Sequence, residues 1–246
     1  FHVVLCPGHR FIGNGLGMET NDVRIDVYGS VGDYLGSGND GMTIHMHGNG
    51  QDQIGQIHKR GTTVVHGDVG QCYGYGAKGG KLFIRGNAAG RPMINSVGSP
   101  KLVINGTALD YLAESFMAGD PLEGGGFVII NGIEYDEKGQ LQSMETPYPG
   151  GNLFSLSSGG AIYVRDPHSR LSVSQLNGGD FTELTDADWQ ILEPLLMENE
   201  EHFGIQLAAL LTVEGEVRAP GSVYRKIIPL KNKALSVEDG WAAKHD

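Results

Sequence analysis

The sequence is poor in cysteine: only Cys6 and Cys72 occur in 246 residues, and there is no CxxC motif. A chain with two cysteines cannot by itself hold an iron–sulfur cluster of the usual four-cysteine kind. It also offers no disulfide framework, which makes a reducing cytoplasm the expected compartment. No signal peptide is visible, and no apolar run approaches the roughly 20 residues of a membrane-spanning helix.

Positive charge is also scarce. The 18 lysines and arginines are outnumbered by 29 aspartates and glutamates, which gives a formal net charge of −11. Phosphate backbones and anionic lipid headgroups repel an acidic chain, so neither nucleic acid nor a membrane surface is an expected partner. The sequence contains no GxSxG motif, and we find no Cys–His–Asp arrangement of the kind that nucleophilic catalysis needs.

Glycine is abundant, and its spacing organises the chain. Of the 39 glycines, five close short β-type runs at intervals of 19, 19, 19 and 20 residues, and a sixth follows after a longer gap. These closing glycines, which we expect at structural turns, are Gly29, Gly48, Gly67, Gly86, Gly106 and Gly132. A seventh run, residues 161–166, has Asp166 in place of the glycine. A fixed period of this size is typical of a solenoid.

Two apolar positions in each run face the same side of the strand. They stand two and four residues before the closing glycine, and the side-chain period of a strand is two. A repeat of about 19 residues is too short for a βαβ unit, which needs roughly 30. The pattern predicts an all-β solenoid, a parallel β-helix of about seven coils of 19–20 residues. We expect right-handed winding, because parallel crossovers are nearly always right-handed.

The chain divides into three segments. Residues 1–22 are expected to cap the first coil. Residues 23–183 are expected to form the parallel β-helix, with residues 133–151 inserted in it as a surface loop. Residues 184–246 are expected to form a small helical C-terminal segment that ends in a basic tail.

The C-terminal segment carries helix signals. Thr185 is a candidate N-cap with acidic residues in the first turn, and Pro194 is expected to kink the helix or split it in two. A second helix is expected within residues 204–212. The basic stretch at residues 223–229 is interpreted as a solvated face or as a contact with an acidic partner surface.

An apolar stripe is expected on the outside of the solenoid. The outward-facing position three residues before the closing residue is apolar in five runs. Its members, a possible interface, are Val64, Phe83, Val103, Ile129 and Tyr163. An exposed apolar stripe of this length has to be covered. We expect the helices of residues 185–212 to cover part of it and a partner subunit to cover the rest.

Two motifs suggest ligands, and neither predicts a site. Residues 36–41 fit the dinucleotide fingerprint GxGxxG, but they run into a strand rather than a helix and recur in register at residues 74–79. His45 and His47 both point outward, and His66 is expected to stack over His47. Two stacked imidazoles could bind a metal, but the next residue of that column is Arg85, so exposed histidines without a metal are expected.

The sequence resembles the C-terminal β-helical domain, the GXGXG domain, of the glutamate synthase large subunit. The resemblance rests on residues 29–36, 48–55, 81–87 and 157–164, together with the helical tail and residues 223–235. The same module occurs as a stand-alone subunit of formylmethanofuran dehydrogenase. The resemblance spans nearly the whole chain.

The resemblance implies a non-catalytic role, with no catalytic, cofactor-binding or metal-binding residue in this chain. It implies a structural subunit of a multi-subunit oxidoreductase that holds a glutaminase-type subunit against flavin-binding synthase-type and iron–sulfur subunits. FMN, FAD or iron–sulfur clusters would then belong to those partners. Whether the chain has any activity of its own stays open.

Two alternatives remain. The chain could be a scaffold in a formylmethanofuran dehydrogenase-like or other metallopterin redox complex. It could also be a polysaccharide-acting β-helix enzyme, but such enzymes cluster acidic residues on an outer face. The outward column one residue before the closing residue has no acidic member; it consists of Tyr28, His47, His66, Arg85, Asn105, Asn131 and Arg165.

Overall fold

The computed structural model describes residues 1–4 and 7–230, and a sheet of ten strands dominates this part of the chain. Eight of these strands form a parallel ladder. The first seven are β1 (His2–Val4), β2 (Arg24–Tyr28), β3 (Asp40–His47), β4 (Arg60–Val65), β5 (Lys81–Ile84), β6 (Lys101–Ile104) and β7 (Phe127–Ile130). An antiparallel hairpin of β8 (Ile133–Tyr135) and β9 (Leu141–Ser143) follows, and the eighth ladder strand is β10 (Ala161–Arg165).

The strand register confirms the predicted parallel β-helix. Ile84 pairs with Ile104, Ile104 with Ile130, and Ile130 with Val164, so equivalent positions of successive runs lie side by side. All seven runs found in the sequence are strands of the ladder, namely β2 to β7 and β10.

The number of turns is smaller than expected. The parallel solenoid makes about five turns instead of about seven coils. The prediction counted one coil for each strand, whereas each turn of the solenoid lies between two successive strands, so there are fewer turns than strands. The step from β7 to β10 also contains the β8–β9 hairpin and the segment after it, so it is not a coil of the regular length.

The interior of the solenoid is a column of buried side chains, one from each strand. Ile44, Leu82, Leu102, Val128 and Ile162 are apolar and have no exposed area, whereas β4 contributes the buried Thr63, whose Oγ1 has no hydrogen-bond partner among the described residues. Fully burying a side chain of this size stabilises the fold by about 1.5–3 kcal/mol. The stacked strands therefore share one continuous core.

The closing glycines are required by the close approach of neighbouring coils. A Cβ atom on Gly48 would lie 2.6 Å from the carbonyl oxygen of Gly29 in the preceding coil, which is closer than real Cβ atoms come. The same approach recurs in the next coils, where an added Cβ would meet an Oδ1 atom: Gly67 meets Asn49, Gly86 meets Asp68, and Gly106 meets Asn87. The spacing between coils leaves no room for a side chain at this position.

The coil corners turn through left-handed backbone conformations. Gly36, Gly55 and Gly74 have φ values of +64°, +66° and +66°, and Ala113 occupies the equivalent corner with φ of 54°. Gly38 is left-handed too, and the segment then enters β3. The GxGxxG match at residues 36–41 is thus a corner of the coil, as its recurrence indicated.

The described chain ends in helices and short strands. They are β11 (Gly179–Thr182), α1 (Asp186–Phe203), α2 (Leu207–Leu211), β12 (Thr212–Val213), β13 (Glu216–Val217), α3 (Pro220–Val223) and β14 (Tyr224–Pro229). β14 lies antiparallel between β10 and β11 and terminates the parallel ladder. No helix among the described residues is both long and apolar enough to span a bilayer.

The structure decides one alternative for Pro194 and corrects the interpretation of the basic stretch. α1 runs continuously through Pro194, so the helix is not split in two, and the Gln190 carbonyl that loses its donor lies on the exposed face, where water can bind it. The basic stretch is a strand whose cations pair inside the chain, so it is neither a solvated face nor a contact for an acidic partner. Arg225 binds Asp166 at 2.8 Å, and buried Lys226 binds Asp188 at 2.6 Å.

Candidate functional site on the outer face

The outer face of the sheet carries a second hydrophobic core. All five side chains of the predicted stripe are fully buried, and they pack with Leu192, Leu195 and Leu196 of α1 and with Leu210 of α2. The expectation that these helices cover the stripe is confirmed. The expectation that a partner covers the rest is corrected, because no exposed area of these side chains is left.

A buried carboxylate fixes the start of α1. Thr185 and Asp188 form the capping box, and this confirms Thr185 as the N-cap. The Oδ1 atom of Asp188 accepts hydrogen bonds from Tyr163 Oη and Lys226 Nζ, both at 2.6 Å. Burial disfavours the charged carboxylate, but these hydrogen bonds outweigh it and lower the pKa of Asp188. The ion pair joins α1 to β10 and β14.

An amide network fixes the end of α1. Asn199 and Asn105 exchange two hydrogen bonds, of 2.8 and 2.9 Å, between helix and solenoid. Asn131 donates to Asn105 at 2.8 Å, and Tyr224 donates to Asn131 at 2.8 Å. All four side chains are buried, so each bond replaces one that water would otherwise make.

At the N-terminal end of the outer face, histidines replace the apolar stripe. Tyr28, His47 and His66 stack along one column with successive ring centroids 4.5 Å apart, as predicted for His47 and His66. His45 lies in the neighbouring column of β3, and its ring centroid is 5.7 Å from that of His66. The Nε2 atom of His66 is 3.5 Å from Nδ1 of His45. We call His45, His47 and His66 the histidine cluster.

The histidine cluster is less exposed than expected. His45 is only 8% exposed, and His66 is half-buried, because the end of α1 covers them. His202 of α1 packs edge-on against His45 at 5.3 Å, and Phe203 packs edge-on against His66 at 5.2 Å. The prediction of exposed surface histidines is therefore wrong for His45.

Burial sets the protonation of the cluster. Burial first, and neighbouring cations second, lower the pKa values of His45 and His66 to about 4. Both imidazoles are therefore neutral at neutral pH. Asp26 beside them stays ionised: hydrogen bonds from Arg24, of 2.8 and 2.9 Å, hold the pKa of this carboxyl far below its usual range. The Nε2 atom of His47 lies 3.4 Å from Asp26 Oδ1.

An open pocket of about 390 Å³ borders the cluster. His66, Arg85 and Tyr135 line it, together with Gly67, Gly86 and Gly139. The guanidinium of Arg85 lies over the ring of Tyr135 at 5.0 Å. One wall of this pocket is thus supplied by the residues inserted between β7 and β10.

The sequence reasoning missed two histidines of chemical interest. His202 was treated only as part of a helix, although it reaches the cluster. His58 was not considered; it is fully buried, with Nδ1 2.9 Å from the carbonyl oxygen of Gly79 and Nε2 3.2 Å from Asn39 Nδ2.

Comparison with known proteins identifies the module. A comparison with curated protein sequences found no match. The family model described as the GXGXG motif matches residues 8–214, which include every parallel strand from β2 to β10. Because this match covers far more than half of the chain, the chain belongs to the GXGXG motif family, whose domain is found in the C-terminal region of the glutamate synthase large subunit.

Proposed function

We propose that this chain is a non-catalytic structural subunit of a multi-subunit, glutamate synthase-like oxidoreductase. It would hold a glutaminase-type subunit and flavin-binding or iron–sulfur subunits in fixed geometry, in the cytoplasm. FMN, FAD or iron–sulfur clusters would be bound by those partners. The family match supports the relation to glutamate synthase, and the build of the solenoid supports the structural role.

The observation that carries this proposal is the unbroken stack. Parallel pairing runs without a gap from β1 to β10, and the interior column is fully buried along it. A second core and the buried Asp188 and Asn199 contacts fasten the helices to the same stack. Such a body bends little, and fixed placement of two reaction centres favours direct transfer of an intermediate between them.

The surface that we propose for partner contact is the N-terminal cap. Large apolar side chains of this segment are exposed: Phe11 at 57%, Leu16 at 53% and Met18 at 66%. A group of exposed apolar side chains is suited to a protein contact.

The test is co-purification of the native complex. We expect a tagged chain to elute with flavin- or iron–sulfur-containing subunits, identified by mass spectrometry and by cofactor absorbance. Leu16→Glu with Met18→Glu should reduce this co-elution at least tenfold. Val173→Glu places one such charge at an equally exposed position (68% exposed) outside the cap and should leave co-elution unchanged.

Two outcomes would contradict the proposal. One is turnover of a glutaminase or synthase substrate by the pure chain alone. The other is recovery of metallopterin proteins in place of flavin and iron–sulfur subunits, which would favour the scaffold of a formylmethanofuran dehydrogenase-like complex instead.

A further inference from the structure

Three imidazoles converge on the outer face because the solenoid stacks its strands. His45 and His47 project from the same face of β3, two residues apart, and His66 follows β4 in the next coil. One ring nitrogen of each histidine lies within 4.8 Å of the others. A single column offers only His47 and His66, so the third imidazole comes from the neighbouring column.

The spacing fits a tetrahedral metal ion. Zinc–nitrogen bonds of about 2.0–2.1 Å place two ligand nitrogens about 3.4 Å apart in a tetrahedron. The ring nitrogens of His45 and His66 are already 3.5 Å apart. A ring nitrogen of His47 lies within 4.8 Å of these two, so its ring has to turn toward them before all three nitrogens can reach one ion.

We infer that His45, His47 and His66 form a binding site for a divalent transition metal ion, with Zn²⁺ as the ion that best suits three imidazoles. The fourth position would be left for water or an external ligand, as in zinc sites with three protein ligands. The pocket beside His66 gives access from solvent. This site does not depend on the proposed structural function.

The surroundings support imidazole ligation. Histidines that bind a metal commonly contact a carboxylate through the other ring nitrogen, and Asp26 lies 3.4 Å from His47. The Nε2 atom of His202 is buried beside the cluster and has no hydrogen-bond partner among the described residues.

The nearby cations are occupied by other groups. Arg24 makes two hydrogen bonds to Asp26, and Lys81 binds Glu198 at 2.6 Å. Arg85, the next residue of the column, lies over the ring of Tyr135 and keeps its charge. Two of the three nearby cations thus have a carboxylate partner, and Arg85 is the one that a dication at the cluster would face.

The test is a Zn²⁺ titration of the full chain after chelator treatment and removal of any histidine tag. Calorimetry should show one Zn²⁺ per chain, and Co²⁺ should give the visible absorption of a tetrahedral nitrogen site. His47→Gln and His66→Gln should each weaken Zn²⁺ binding at least about tenfold, and Asp26→Asn about tenfold. His168→Gln, which replaces an exposed histidine outside the cluster, should bind Zn²⁺ like the wild type.

His47 and His66 are chosen because both are partly exposed, so their variants should fold; circular dichroism checks this. The inference is wrong if the wild-type chain takes up no Zn²⁺. It is equally wrong if folded His47→Gln and His66→Gln bind Zn²⁺ with unchanged affinity, since the ion would then bind elsewhere.

Discussion

At the scale of single residues, the solenoid is governed by what fits between two coils. Gly48 has no room for a Cβ atom, because the backbone of the preceding coil lies 2.6 Å from where it would be. Gly90 lies at a coil position of ordinary backbone conformation, where an added Cβ would come no closer than 3.7 Å to the nearest atom, the carbonyl oxygen of Asp110. The two glycines therefore serve different purposes, although both belong to the repeat.

We expect Gly48→Ala to lower the free energy of unfolding by about 1–3 kcal/mol, because neighbouring coils must move apart. Gly90→Ala should instead raise it by about 0.4–1 kcal/mol, since alanine restricts the unfolded chain at no steric cost. Urea denaturation of both variants shows whether each substitution lowers or raises the free energy of unfolding. Equal destabilisation would show that the clash at Gly48 is not the cause.

His58 makes the fold sensitive to acid. Burial lowers the pKa of His58 to about 4, from 6.5 in the unfolded chain, and its two ring nitrogens are held by Gly79 and Asn39. The Asn39 amide nitrogen also donates to the Met42 carbonyl. The group of Asn39 that faces the His58 ring is therefore its NH2 donor. A proton on Nε2 of His58 would face that donor.

The unfolded chain therefore takes up this proton more readily than the folded chain. His58 should contribute fully to stability above pH 6.5, and its contribution should fall by about 3 kcal/mol as the pH falls to about 4. His45 and His66, whose pKa values are also lowered to about 4, add to the loss in the wild type. His58→Gln should show a flatter pH profile in this window, measured by urea denaturation. His168→Gln should keep the wild-type slope, and an unchanged slope in His58→Gln would contradict this account.

The alternating pattern predicted on which face of a strand a side chain lies, but not which other side chains it contacts. Alternation along β3 correctly placed His45 and His47 on the outer face. It gave no information on rotamers, so the contact between His45 and His66, which lie in different columns, was not predicted. Asn105 and Asn131 were likewise identified only as polar members of an outward column, because their partners in the C-terminal segment are distant in sequence. Asn199 is 94 residues from Asn105, and Tyr224 is 93 residues from Asn131.

At the scale of elements, α1 is held to the solenoid by one apolar face and two polar anchors. The amide pair of Asn105 and Asn199 is the anchor nearer the C-terminal end of the helix. Removing the Asn199 amide takes away both of these buried hydrogen bonds, while Asn105 still donates to the Ile84 carbonyl and accepts from Asn131. The expected cost is therefore that of two buried hydrogen bonds.

Asn199→Leu is expected to lower the free energy of unfolding by about 1–3 kcal/mol. Gln190→Leu makes a comparable change on the exposed face of α1 and should have an effect within about 0.5 kcal/mol. Thermal and urea denaturation measure both. Similar losses in the two variants would mean that the amide pair does not hold the helix.

The repeated strands could be predicted from the sequence, whereas the terminating strands could not. The parallel rungs follow from a fixed period and an alternating pattern, both of which are local. β14 contains Arg225 and Lys226, whose charges favour a solvent-exposed interpretation. Their partners, Asp166 and Asp188, are 59 and 38 residues away, so only the folded chain shows that the charges are paired.

At the scale of the whole molecule, one continuous core makes the stack a single cooperative unit. Backbone amides of β4 to β7 bond to neighbouring strands on both sides, so they open only when the stack opens. The tip of the β8–β9 hairpin, residues 136–140, is mostly exposed and pairs only with itself.

Hydrogen exchange should therefore separate these two regions. Amides of β4 to β7 are expected to exchange with the free energy of global unfolding, and amides of residues 136–140 with much lower values. Mass spectrometry of peptic fragments measures both classes. Fast exchange within β5 or β6 would show that the stack opens in parts and is not a stiff body.

The uniform pairing of the middle strands has a consequence for how this chain can vary. Each 19-residue interval between β3 and β5 ends where it began, one strand spacing further along the axis, which is about 4.8 Å. Duplicating or deleting one whole interval would change the distance between the two ends of the solenoid by that increment. The pairing between strands would be kept, while the contacts of His202 and Phe203 with His45 and His66 would change. The length of the solenoid can therefore change only by whole coils, each adding or removing about 4.8 Å.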